Sequence, residues 1–143
     1  MMTTSTMPSP AAIRTSVDKF VAFLESGGEA PEGLFAPTVF GDLTFPHWRV
    51  QTDGADELIA GRRRLHPQPG RVRLERVTPT ETGYLVKLEE RWEDGGQEWY
   101  CREGFVMDLD ESGAVCDFTL YCTGDWDEAR QREHANTVTL LRP

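Results

Sequence analysis

Two glutamates, Glu90 and Glu103, stand in runs of alternating apolar residues, where a carboxyl group is unusual. In "EWYCREGF" and the residues after it, Trp99, Cys101, Phe105, Met107 and Leu109 share one face of a half-buried strand, and Glu103 sits among them. Apolar surroundings disfavour the ionised form of a carboxyl, so its pKa rises toward neutrality, where it can give or take a proton. A second carboxyl nearby pushes the same way by repulsion. The alternative is an ion pair, in which an arginine from a neighbouring element holds the glutamate charged.

Register decides which side chains meet, because a slip of one residue turns every side chain over. The turn "EDGG" predicts a hairpin closing on Gly95-Gly96 that pairs Trp92 with Trp99, Glu90 with Cys101, Leu88 with Glu103, Val86 with Phe105 and Tyr84 with Met107. Its other face then sets Glu89 against Arg102. A turn at Glu111-Ser112 pairs Met107 with Cys116, Phe105 with Phe118, Glu103 with Leu120 and Cys101 with Cys122. The two registers put the same face inside. Glu103 is therefore expected on a middle strand, with Glu90 standing diagonally at roughly 7–8 Å between backbone positions. If an earlier hairpin turns at Glu81-Thr82, Arg73 faces Glu90.

Other residues could serve the same chemistry. His47 follows Pro46 and could shuttle a proton at the end of a strand, or be an ordinary loop histidine. Phe45, Trp48, Leu65, Phe118, Leu120 and Cys122 could shape a cavity around Glu103. Trp92 and Trp99 either staple their hairpin or form a platform for a flat ligand. His66 reads as a helix-end residue facing the dipole. Of Arg62, Arg63 and Arg64, one must look inward.

The elements that position these residues are readable from periodicity. Ile13, Val17, Phe20, Val21, Phe23 and Leu24 follow helical spacing until Gly27-Gly28 stops them. Pro31 to Pro37 could hold a short second helix, and "TVFGDLTF" is β-rich up to Pro46. Ala55 to His66 forms another helix, with Asp53 or Asp56 as its cap. Beyond Gly70 the period changes to two, and the turns "PTETG", "EDGG" and "DESG" separate four strands of an antiparallel meander. Asp125 with Glu128 resembles a capping box for a helix through about His134, after which "TVTLLRP" is an extended tail.

The chain of 143 residues, 38% hydrophobic, suits one domain over residues 13–143 behind a disordered leader over residues 1–12. A net charge of −9 argues against nucleic acid and anionic membranes as partners. No apolar run approaches the roughly 20 residues that span a bilayer, and no secretory leader is visible, so a cytoplasmic protein is expected. Three cysteines without Cys-x-x-Cys spacing suggest reduced thiols and no metal site. No phosphate loop or cofactor motif is present, which leaves chemistry without a cofactor.

The order of elements, with "LFAPTVFGDLTFP" before the second long helix and "DLDESGAVCDFTLY" at the last turn and strand, resembles the nuclear transport factor 2-like superfamily, in particular its SnoaL-like branch. The resemblance implies an α+β fold: a cone-shaped α+β barrel in which N-terminal helices wrap a curved antiparallel sheet around a small-molecule pocket. It also implies a homodimer, with Tyr100, Val106 and Tyr121 on the outer face. Family activities include ketosteroid isomerases, polyketide cyclases, dehydratases and epoxide hydrolases, beside non-catalytic binders. The isomerase's acids would fall on Phe45 and near Phe105, and the last acid of the limonene epoxide hydrolases on Leu120, so neither mechanism carries over. The remaining expectation is an apolar substrate undergoing cyclisation, isomerisation or dehydration in natural-product biosynthesis. In it Glu103 is the acid or base, Glu90 its partner and His47 an assistant. The alternative is a binding or scaffold protein using the same cavity.

Overall fold

In a computed structural model that describes residues 7–143, the first helix, α1 (Pro10–Glu25), starts where Ser9 accepts a hydrogen bond from the Ala12 N–H at 3.1 Å. Pro10 suits that first turn because its missing N–H would have no partner there. The helix buries Ile13, Val17, Phe20, Phe23 and Leu24, then ends at Gly27, whose φ of 79° favours glycine. A Cβ at Gly27 would stand 2.4 Å from the Pro67 carbonyl oxygen, so glycine also lets the two segments touch. Residues 1–6 of the expected leader lie outside the described residues, while residues 10–12 are already helical.

No helix forms between Pro31 and Pro37. A turn leads directly into β1 (Phe35–Phe45), which folds back through Pro46-His47 onto β2 (Trp48–Asp53), a strand the periodicity did not reveal. The helix α2 (Ala55–Leu65) follows Gly54, which stands at the cap position, and neither Asp53 nor Asp56 caps it. Asp56 and Glu57 in its first turn and Arg62 to Arg64 in its last complement the helix dipole instead.

Four strands follow: β3 (Gly70–Pro79), β4 (Gly83–Asp94), β5 (Gln97–Leu109) and β6 (Val115–Cys122). The six-stranded sheet runs β2-β1-β6-β5-β4-β3 and is open at both edges. Only β1 and β6 are parallel, so the sheet is mixed, not purely antiparallel. The last helix, α3 (Glu128–Thr137), is capped by Asp127, which accepts from the Arg130 N–H at 2.8 Å; Asp125 is not the cap.

Pairing of β4 with β5 follows the Gly95-Gly96 turn: Leu88 stands opposite Glu103, Glu90 opposite Cys101 and Trp92 opposite Trp99. Pairing of β5 with β6 differs from expectation by two residues. Glu103 faces Cys122, Phe105 faces Leu120 and Met107 faces Phe118. One residue of the difference arises in the loop, where the Asp110 carboxylate accepts from the Ser112 N–H at 2.9 Å and the Ala114 N–H at 3.1 Å, and the other at an irregularity between Asp108 and Leu109. A shift of two preserves the face, so the inward set is unchanged. An irregularity between Leu74 and Arg76 alters the β3 register, and Arg73 pairs with Glu89 on the outer face, not with Glu90.

The core lies between α1 and the inner face of the sheet. The Phe20 ring meets Phe105 edge-on at 4.7 Å and Phe118 at 5.8 Å, while Tyr84 is fully buried and shares a 2.9 Å hydrogen bond with Ser16. Burying such a side chain stabilises the fold by roughly 1.5–3 kcal/mol. Among the described residues, no helix is long and apolar enough to cross a membrane. On the outer face, α3 packs on β5, and the Trp126 and Tyr100 backbones exchange hydrogen bonds at 2.7 and 3.0 Å.

Candidate functional site

The curved inner face leaves a cavity of about 540 Å³ between the β1–β2 hairpin, α2 and strands β4 to β6. Phe105, Phe118 and Leu120 form its buried apolar wall, and Phe45 is half-buried beside them. Trp48 and Leu65, both exposed, stand at its mouth. Cys101, Cys122, Glu90 and Glu103 complete the inner end.

Four residues nominated from the sequence stand apart from this lining. His47 occupies the exposed β1–β2 turn with φ of 63°, a left-handed conformation uncommon outside glycine. Leu88 is fully buried in the core. Trp92 packs behind the cavity against His66, and Trp99 closes its own hairpin by donating its indole N–H to the Asp94 carbonyl at 3.2 Å.

Glu103 is buried at the inner end. Desolvation raises its pKa well above the ordinary carboxyl range, and the negative charge of Glu90 and the hydrogen bond between the two carboxyls add to the rise. Glu90 moves the other way. Burial alone would raise it, but the Glu103 hydrogen bond and the Arg62 guanidinium outweigh burial and hold it below its usual value. Arg62 is the inward-facing member of the Arg62-Arg63-Arg64 run. Its two terminal nitrogens reach Glu90 at 2.7 and 3.2 Å, and one also donates to the Leu24 carbonyl at 3.2 Å. The pair is unequal: Arg62 favours the charged form of Glu90, while burial beside that charge favours the protonated form of Glu103, which lines the cavity.

Two thiols stand beside Glu103. Cys101 donates to Glu103 Oε1 at 3.5 Å and also hydrogen-bonds with Cys122. Hydrogen bonding to Cys122, then burial and the Glu103 charge, push the Cys101 pKa far up. Cys122, hydrogen-bonded by Cys101 and by the Gly124 N–H at 3.3 Å, is lowered although burial opposes it. Cys101, Glu103 and Cys122 bring potential ligand atoms within 4.8 Å of one another, and these hydrogen bonds account for the approach.

Among the lining residues that escaped the sequence reading, Arg62, His66 and Asp125 bear on the charge of the site. Arg62 could be reduced to one of three candidates only, since its partner lies on another element. His66 stands at the helix end, as expected of a residue interacting with the dipole, but it is buried there, and burial followed by the Arg62 charge lowers its pKa. Asp125, expected as a cap, lies at the cavity rim, where burial of its carboxyl and the charge of Glu90 raise its pKa. A histidine before proline in a helix-ending "HPQPG" carries no signal of burial.

No known family profile matches the sequence, and no curated protein matches it. Solved structures do. A nuclear transport factor 2-like protein from Anabaena variabilis superposes with a TM-score of 0.67 at 17% identity, covering 87% of this chain and 96% of its own. A Delta 5-3-ketosteroid isomerase from Mycobacterium sp. gives 0.60 at 18% identity, with 83% and 95% covered. A putative SnoaL-like polyketide cyclase from Jannaschia sp. gives 0.58 at 14% identity, with 93% and 98% covered. The chain thus has the nuclear transport factor 2-like α+β cone fold, shared with SnoaL-like proteins.

Proposed function

We propose that this chain is a cofactor-independent enzyme that binds an apolar small molecule in the cone and catalyses a proton-transfer step of cyclisation, isomerisation or dehydration in (poly)ketide-type biosynthesis. The observation that supports it is the split carboxyl pair: Glu103 keeps its proton at the inner end of an apolar cavity while Glu90, tied to Arg62, stays charged beside it. An acid with a pKa raised toward the working pH can protonate a carbonyl oxygen or the carbon of an enol and recover the proton in the next step. Glu90 and Arg62 position that acid and set its affinity for the proton. The likeness in fold to a ketosteroid isomerase and a putative polyketide cyclase agrees with this reading and goes no further than fold.

When the substrate is a ketone that reacts at its α-carbon, all three reaction types pass through an enol, so exchange of α-hydrogens on a bicyclic ketone such as trans-2-decalone in deuterated water measures the step by NMR. Wild-type protein is expected to accelerate exchange, and Glu103→Gln to lower the rate by roughly a hundredfold to ten-thousandfold. Equal rates for both proteins would remove Glu103 from the chemistry, and binding without exchange would favour a non-catalytic binder. We place the protein in the cytoplasm as a homodimer associating through the outer face, where Leu85, Val106 and Tyr121 are exposed. A monomeric mass by light scattering at micromolar concentration would contradict the dimer.

A further inference from the structure

His66 ends α2 in an unusual state. Only 9% of its surface is exposed, neither ring nitrogen has a hydrogen-bond partner, and the residue lines the cavity. One turn earlier on the same helix face, Arg62 commits its terminal nitrogens to Glu90 and leaves its buried Nε–H without a partner. An unsatisfied buried donor or acceptor costs about 1–3 kcal/mol, and native interiors hold few of them. Two such residues, one turn apart and both lining the cavity, mark a place where a ligand group can complete the hydrogen bonding.

The chemistry of that ligand follows from the set. Burial and the Arg62 charge keep the imidazole neutral, so it presents one N–H donor and one bare nitrogen acceptor. Arg62 adds a donor. A carboxylate or phosphate would use only the donors and would lie beside the charged Glu90. A hydroxyl oxygen can accept from the Arg62 Nε–H while its own hydrogen goes to the bare ring nitrogen of His66, a pairing open to neither a carboxylate nor a phosphate dianion. Trp92, whose ring centroid lies 4.1 Å from that of His66, holds the imidazole edge-on.

We infer that His66, with the Nε–H of Arg62, forms a second polar subsite that recognises a neutral hydroxyl group on the ligand, apart from the Glu103 carboxyl. The assignment rests on the proposed use of the cavity for small molecules, and it names a specificity residue that the proton-transfer reading does not require. A site built to bond a hydroxyl discriminates strongly against analogues without it, because its buried groups are then stranded.

The test uses trans-decahydro-2-naphthol and its methyl ether, which differ in the hydroxyl hydrogen and a methyl group. Their binding to the whole chain is followed by tryptophan fluorescence and by the ring-nitrogen NMR resonances of His66. The alcohol is expected to bind at least about tenfold more tightly than the ether, and only the alcohol to move the His66 resonances. His66→Phe should bind both equally, and His66→Gln, which keeps a donor and an acceptor, should retain a preference for the alcohol. Equal binding to wild type, unmoved His66 resonances, or no binding of either probe at its solubility limit would overturn the subsite. Glu103→Gln should leave the alcohol preference intact. Loss of exchange activity with the preference retained, or the reverse, therefore separates failure of one reading from failure of the other.

Discussion

Arg62 grips Glu90 through both terminal guanidinium nitrogens, with only 13% and 5% of the two side chains exposed. The pair joins α2 to β4, and a second contact from Arg62 to the Leu24 carbonyl joins α2 to α1. Through it the charge on Glu90 is fixed, and with that charge the proton on Glu103.

Breaking the pair from one side should therefore cost more than removing it. Arg62→Ala leaves a buried carboxylate without its counter-charge, and urea denaturation is expected to show a loss of about 3–5 kcal/mol. The double variant Arg62→Met/Glu90→Met should recover most of that loss, since two apolar side chains of similar volume need no compensation. A loss under about 1 kcal/mol for Arg62→Ala would mean that the pair behaves as a solvated surface bridge.

The two glutamates should leave opposite marks on stability against pH. Glu103 binds its proton more tightly folded than unfolded, so stability falls as pH rises from the ordinary carboxyl range, about 4.3, toward its raised value. Glu90 is depressed, so its contribution is present above that range and disappears as pH falls through its lowered value. Glu103→Gln removes the first effect, and its amide N–H can go on donating to Glu90 in place of the carboxyl proton, so the second is kept. Thermal melts across pH should show a flatter profile for the variant on the alkaline side and an unchanged acid limb; parallel profiles would count against a raised Glu103.

Thiol reactivity offers an independent view of the cavity. Cys122 is half-buried, lines the cavity and has a lowered pKa, whereas Cys101 is buried and strongly raised. Iodoacetamide, followed by peptide mass spectrometry, should modify Cys122 well before Cys101. Faster labelling of Cys101 would show that the two sulfurs exchange roles.

Much of this arrangement was legible in the residues themselves. Gly95-Gly96 admits a tight turn, and the alternation on either side of it allows a single register, so the neighbours of Glu103 on β4 follow directly. The β6 register was displaced because the Asp110 carboxylate builds a longer loop than the glycine-containing "DESG" suggests and an irregularity between Asp108 and Leu109 adds a further residue, so only parity survived. Strand β2 alternates Trp48, Val50 and Thr52 with Arg49, Gln51 and Asp53, but over only six residues, none of them fully buried, which is a short signal beside the longer strands. Arg62, His66 and Asp125 acquire their roles from contacts across distant segments, which local periodicity does not encode. Of the two partners weighed for Glu103, the arginine goes to Glu90 instead, and burial beside that charged pair raises the Glu103 pKa.

The central claim is the proton on Glu103, and a pH titration of that side-chain carboxyl carbon by NMR reads it directly. The account predicts a carboxyl still protonated when Glu90 has long since ionised, releasing its proton only well above the ordinary range, with Arg62→Ala altering the separation between the two. A Glu103 resonance that titrates together with the exposed glutamates would contradict it.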